Sequence, residues 1–184
     1  MDSSTTPVTD VGALFLERSR FLLLTEYRTK LRSAVAALPA EACWWRANDQ
    51  SNSVGNLLLH LAGNIRQWIV SGVGQMPDTR QRSAEFAARE GQSASELLAQ
   101  LEQALDDVDR VLQTLTASQL LEHRTIQGRS VTVFEAVLRV VEHFSHHLGQ
   151  IILIAKLHAP GAIQFYEDAG GTAKPVWQRL IRKG

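Results

Sequence analysis

A chain of 184 residues is one domain of ordinary size, able to bury about 70% of its unfolded surface and so to hold a core without disulfides. Apolar residues at 45% and charged residues at 21% exclude a disordered or fibrous chain. Nineteen basic and nineteen acidic residues cancel without a long run of either sign, which argues against a nucleic acid or an acidic membrane as partner. Cys43 is the single cysteine, so no intrachain disulfide can form. With no secretory pattern at the start, a reducing cytoplasm is the expected location. No apolar run reaches the roughly 18 residues that a membrane span requires.

Residues 1–9 are polar and read as a frayed lead-in, within a flanking tail over 1–10. A first helix is expected over 11–37, from the spacing of Leu14, Phe21, Leu24, Leu31 and Val35, with Leu38 at its end and Pro39 as its stop. A polar connector follows, with Trp44 and Trp45 placed against the end of the helices. Ser53 can cap a second helix over 53–70, whose stripe is Val54, Leu57, Leu58, Leu61, Ile65 and Trp68, and Gly72 and Gly74 close it. The charged stretch after it reads as a surface crossover with a helical turn near 83–89. Ser93 and Glu96 form a capping box for a third helix over 93–115. Alternation over 123–133 around Gln127-Gly128 suggests a short hairpin. The fourth helix, over 131–158, is apolar over most of its circumference, which predicts burial and a homodimer contact. Residues 161–184 read as a loosely packed tail. The fold expected is all-α: a four-helix bundle over 11–160 with one long crossover, flanked by tails.

Three of the six histidines fall in EHFSHHLGQI. His143 and His147 are four apart, so they share a helix face. His146 is turned about 100° from His147 and cannot easily join the pair. His60 sits mid-helix in LLLHLAGN, on the flank of its stripe. Three neutral imidazoles and a water make an open zinc-type site, although imidazole suits nickel, iron and copper as well. An isolated H-x-x-x-H pair also arises by accident, and a lone interior histidine is more simply a satisfied core residue. Against those readings, all three lie beside apolar stripes, where an unpaired imidazole is costly.

SNSVGNLLLHLAGNIRQWI followed by VTVFEAVLRVVEHFSHHLGQII resembles the DinB/YfiT-like family of four-helix-bundle metalloenzymes, over roughly 14 to 157. WWR before SNS, and GNIRQW after the histidine, point to one branch of it. The resemblance implies His60, His143 and His147 as ligands of one divalent metal, zinc or nickel first, with water completing the site. It also implies a homodimer and a transferase or isomerase acting on a small-molecule substrate with a low-molecular-weight thiol such as bacillithiol or mycothiol. Hydrolysis by metal-bound water is the neighbouring alternative, and a non-catalytic dimeric bundle that binds a metal or small ligand is the other.

Other residues weigh less. Glu142 is turned about 100° from His143 by helix geometry and reads as a solvated or interhelical charge. Asn64 lies on the His60 seam, either facing the site or as a plain polar seam residue. Gln150 is one turn past His147. Arg66 reads as a surface residue covering Trp45 or Trp68. Arg80, Arg82 and Glu85 lie in the crossover and read as solvated. Cys43 reads as a buried structural thiol, and Gly72 and Gly74 lack the ending of a phosphate loop.

Overall fold

A computed structural model describes residues 10–181; the segment 1–9, expected to fray, lies outside it, as do residues 182–184. The Asp10 carboxylate accepts from the Gly12 and Ala13 backbone N–H groups and so starts the first helix. That helix, α1 (11–37), runs through an α-helical stretch Val11–Arg20, a π-helical stretch Phe21–Tyr27 and a second α-helical stretch Arg28–Ala37. Leu38 is extended ahead of Pro39, as the proline ring requires. The buried side begins at Leu16 and Leu23 rather than at Leu14 and Phe21. So many residues near the start of α1 are apolar that periodicity alone could not choose the inward face.

Ser53 and Asn56 cap α2 (54–73) reciprocally. It continues past the expected end because Arg66–Val73 winds as a π-helix, with Gly74 N–H donating back to the Ile69 carbonyl at 2.8 Å. The crossover 74–93 carries the short helix α3 (Arg82–Ala87). Next come α4 (Ala94–Thr114), the hairpin β1 (His123–Ile126) and β2 (Arg129–Thr132), and α5 (Val133–His158). Gln127 and Gly128 both take positive φ, 53° and 74°, which is the two-residue turn that matches strand twist. Ser93 caps α4 and Thr132 caps α5.

Both α1 and α2 pack against α4 and against α5. Side-chain pairs give the directions. Arg20 meets Asp109 and Arg32 meets Glu102, so α1 and α4 are antiparallel. Phe15 meets Phe134 and Tyr27 meets Phe144, so α1 and α5 are parallel. His60 meets His143 and Trp68 lies beneath Arg139, so α2 and α5 are antiparallel. It follows that α2 and α4 point the same way, and the chain between them must travel back along the helices. This is why the connector is long, and it lays α3 against the first half of α2. The shared core includes Leu23, Leu31, Leu58, Leu61, Leu105 and Phe144, all fully buried. Among the described residues, no helix is long and apolar enough to cross a membrane.

The tail does not pack loosely. Ile163, Phe165 and Trp177 join the main core, and β3 (Tyr166–Asp168) pairs with β4 (Ala173–Pro175) ahead of α6 (Gln178–Ile181). Lys30 fixes this segment: its ammonium donates to Glu26 at 2.6 Å and to the Tyr166 hydroxyl at 3.0 Å, and lies 5.4 Å from the Trp177 ring centre. Tyr166→Phe is expected to cost about 1 kcal/mol, the net value of one such hydrogen bond, read as a small drop in melting temperature with no change at the histidines.

Candidate metal centre

His60 on α2 and His143 and His147 on α5 bring their ring nitrogens within 4.8 Å of one another, an arrangement that could hold a metal ion. His143 Nε2 stands 3.1 Å from His60 Nε2 and 3.2 Å from His147 Nε2. Two nitrogens bound to one zinc at about 2.0–2.1 Å with tetrahedral angles stand about 3.3 Å apart. The observed separations therefore suit a common ion. His146 is exposed and lies outside the cluster, its ring edge-on to His147 at 5.2 Å.

The outer nitrogens decide what the inner ones can do. His60 Nδ1 lies 2.9 Å from Glu85 Oε2, and a proton on Nδ1 donated to that carboxylate leaves Nε2 as a bare acceptor. His147 Nδ1 lies 2.8 Å from Gln150 Oε1, with the same consequence. His143 Nδ1 is buried without a partner. Its Nε2 can donate to only one of the other two rings, so lone pairs face each other across the centre. A cation resolves that conflict, and the donor set of neutral imidazoles fits zinc, nickel, iron or copper. Burial, followed by the neighbouring His147 and His60, pushes His143 down from 6.5 to about 3. Burial also lowers His147, partly offset by its bond with Gln150. These two imidazoles are therefore held in the neutral form that metal binding would need.

Glu85 was not legible as part of the site. Read as a solvated connector residue, it is 8% exposed and bonds His60 directly. Arg80, read the same way, has a side chain only 3% exposed and grips both oxygens of Glu85 at 2.7 Å. Arg80 also donates to Gln67 Oε1 at 2.9 Å, and Gln67 donates to Asp78 at 2.7 Å. Burial alone would raise the Glu85 carboxyl, but the hydrogen bonds and charges of Arg80 and His60 hold it below its usual range. The crossover is placed by Asn56, whose side-chain amide donates to the Glu85 and Ala88 carbonyls at 2.8 and 2.9 Å. Gly63 leaves room: a Cβ there would lie 2.1 Å from Glu85 Oε1. Arg82 stacks on Phe86 instead, and Phe86 lies 4.6 Å from the His60 ring.

The remaining residues separate cleanly. Glu142, expected to turn away, is exposed and lines a cleft of about 370 Å³ with Arg139, His143, His146 and His147. Asn64 is buried with its Oδ1 unpartnered, one turn along from His60. Arg66 reaches the Gln100 carbonyl rather than either tryptophan, and Arg139 covers Trp68. Trp44 is half-buried and donates to the Gln92 carbonyl, whereas Trp45 is exposed and meets His158 edge-on. Cys43 is buried, and burial pushes its thiol up, away from a reactive thiolate.

In the metal-free protein the depressed histidines make stability depend on pH. The unfolded chain takes up a proton at His143 near pH 6.5, while the folded chain does so only near pH 3. Stability is therefore full above about pH 6.5 and is lost as pH falls through that window. Urea midpoints at pH 8 and pH 5 should differ, and His143→Phe should narrow the gap.

No curated protein matches the chain at a significant level. A family model described as a protein of unknown function, DUF1572, matches residues 10–164. That span holds all four long helices, the crossover and every residue of the histidine cluster, and the chain belongs to the DUF1572 family.

Proposed function

We propose that this protein is a metal-dependent enzyme built as a DinB/YfiT-like four-helix bundle with a crossover, with His60, His143 and His147 holding one divalent zinc or nickel ion. The observation that carries this reading is the meeting of three Nε2 atoms, those of His143 and His147 beside an open cleft, with two of the outer nitrogens tied to Glu85 and Gln150. Three protein ligands leave a coordination position for a small molecule, the hallmark of a catalytic rather than a structural site. The metal supplies Lewis acidity, which favours the thiolate form of a thiol placed beside it. Around it, Glu85 and Gln150 keep the ligand rings oriented, and Phe86 covers one side of the His60 ring. The reaction we favour is transfer of a low-molecular-weight thiol to, or from, a small electrophile.

A hydrolase is the second reading, favoured by one observation. Glu142 lines the same cleft and is a carboxylate able to accept a proton from an attacking water. Metal analysis of protein purified without a nickel column, followed by a screen of thiols with electrophiles and of simple esters and amides, separates the two. Thiol-dependent turnover that survives Glu142→Gln supports transfer; thiol-independent turnover lost in Glu142→Gln supports hydrolysis. Stoichiometric metal with neither activity would favour the non-catalytic binding bundle.

We also propose a homodimer joined along α5, where Leu138, Leu153 and Leu157 are exposed apolar residues. Monomer mass by light scattering at micromolar concentration would refute it. We propose a cytoplasmic location as well, since the one cysteine leaves the chain without an internal disulfide. The tail residues packed into the core extend the proposed domain of 11–160 to Trp177.

A further inference from the structure

We propose that Arg139 is the anion-binding residue of this site and that its small-molecule ligand carries a carboxylate a short chain away from the atom that meets the metal. The proposal rests on the metal reading of the three histidines. Arg139 stands one helical turn before His143 on α5 and lines the cleft that opens on His143 and His147. Its guanidinium lies 4.8 Å above the ring of Trp68, which is itself buried. With one side of the guanidinium over the indole, its N–H edges remain free to take a carboxylate through two parallel hydrogen bonds.

Arg139 is available where its neighbours are not. Arg80 is committed to Glu85, and Arg20, Arg28 and Arg32 are committed to acids on α4. Among the described residues, Arg139 is in no ion pair, although Glu142 stands three positions away on the same cleft. A carboxylate monoanion meets less repulsion from the nearby Glu142 charge than a phosphate dianion would, and so suits this arginine better. The two features of the ligand must lie close together, because side chains one turn apart stand about 5–6 Å from each other at Cβ. Beneath the guanidinium, Trp68 Nε1 is a buried donor without a partner, and Asn64 Oδ1 is a buried acceptor without one. Both lie on the His60 stripe of α2, so the seam between the metal site and Arg139 is polar where a core would be apolar.

The test uses cobalt(II)-loaded full-length protein and follows the visible spectrum during titration with two thiols of similar size, 3-mercaptopropionate and its neutral methyl ester. The unaltered protein should bind the acid about ten- to a hundred-fold more tightly than the ester, the range for a charge-assisted pair. Arg139→Met should bind both alike, and Arg139→Lys should recover part of the preference, since lysine supplies the charge without the fork. Cobalt stoichiometry should be the same in all three proteins, which reports that each is folded. Equal affinity for acid and ester in the unaltered protein, or a preference that persists in Arg139→Met, overturns the proposal and leaves the metal reading standing. Failure of the unaltered protein to take up cobalt overturns the metal reading and this proposal with it.

Discussion

Replacing His147 with alanine is expected to abolish stoichiometric metal binding, while His146→Ala leaves it intact. The two residues are neighbours in sequence, yet only His147 places a ring nitrogen at the centre; His146 is exposed beside it. Structural zinc sites bind with about 10–16 kcal/mol spread over four ligands, so one ligand carries a few kcal/mol, on the order of a hundred- to a thousand-fold in affinity. His60→Ala and His143→Ala should lose as much. Competition against a chromophoric chelator at pH 7.5 measures the loss in all four variants. Equal loss in the His146 and His147 variants, or loss in neither, would mean that the ligands are wrongly assigned. Proton competition should begin below the ordinary histidine value of about 6.5, because the fold already holds His143 and His147 neutral under more acid conditions.

Arg80→Met should be the most destabilising single change in the crossover. It leaves the buried Glu85 carboxylate facing His60 without its bidentate partner. Breaking a buried pair on one side costs about 3–5 kcal/mol, because the remaining charge is neither solvated nor compensated. In a chain of this size each kcal/mol moves the melting temperature by roughly 2–4 °C, so a drop of the order of 10 °C is expected in metal-free protein. The double variant Arg80→Met with Glu85→Gln should recover much of that, since no lone charge remains. Glu85→Ala should instead show its effect on the metal, weakening it about 10–100-fold through loss of the group that orients His60. Gly63→Ala offers a third approach, since its methyl group would displace the carboxylate without removing it. An Arg80→Met protein that melts like the unaltered one would show that the pair is solvated and that Glu85 orients nothing.

The helices were legible in the chain because each one repeats apolar residues at its own period and is bounded by a local signal. Ser53, Ser93 and Pro39 mark boundaries within a residue or two of where they fall. The hairpin around Gln127-Gly128 was legible for the same reason, since a two-residue turn is a local event. The π-helical stretches were not legible: they differ from α-helix by one hydrogen-bond step, and no side chain announces it.

At the histidine site, the spacing of His143 and His147 places both on one face of a single helix, a property that local geometry alone decides. Which residues stand behind them is a property of the packed chain. Glu85 lies 25 residues from His60, in a charged connector of the kind that is ordinarily solvated, and reaches it only because parallel α2 and α4 force the crossover back along α2. Lys30 and Tyr166 are 136 residues apart, and the tail that carries Tyr166 has no period from which burial could be read. Arg139 and Trp68 meet because α2 and α5 run antiparallel, which sequence spacing does not encode. The sequence by itself thus determined the helices, their caps and the pair of histidines on α5, all set by contacts within one or two turns. Only the tertiary structure decided the orienting carboxylate, the packed tail and the stacked arginine, because each depends on segments that meet only once the helices pack.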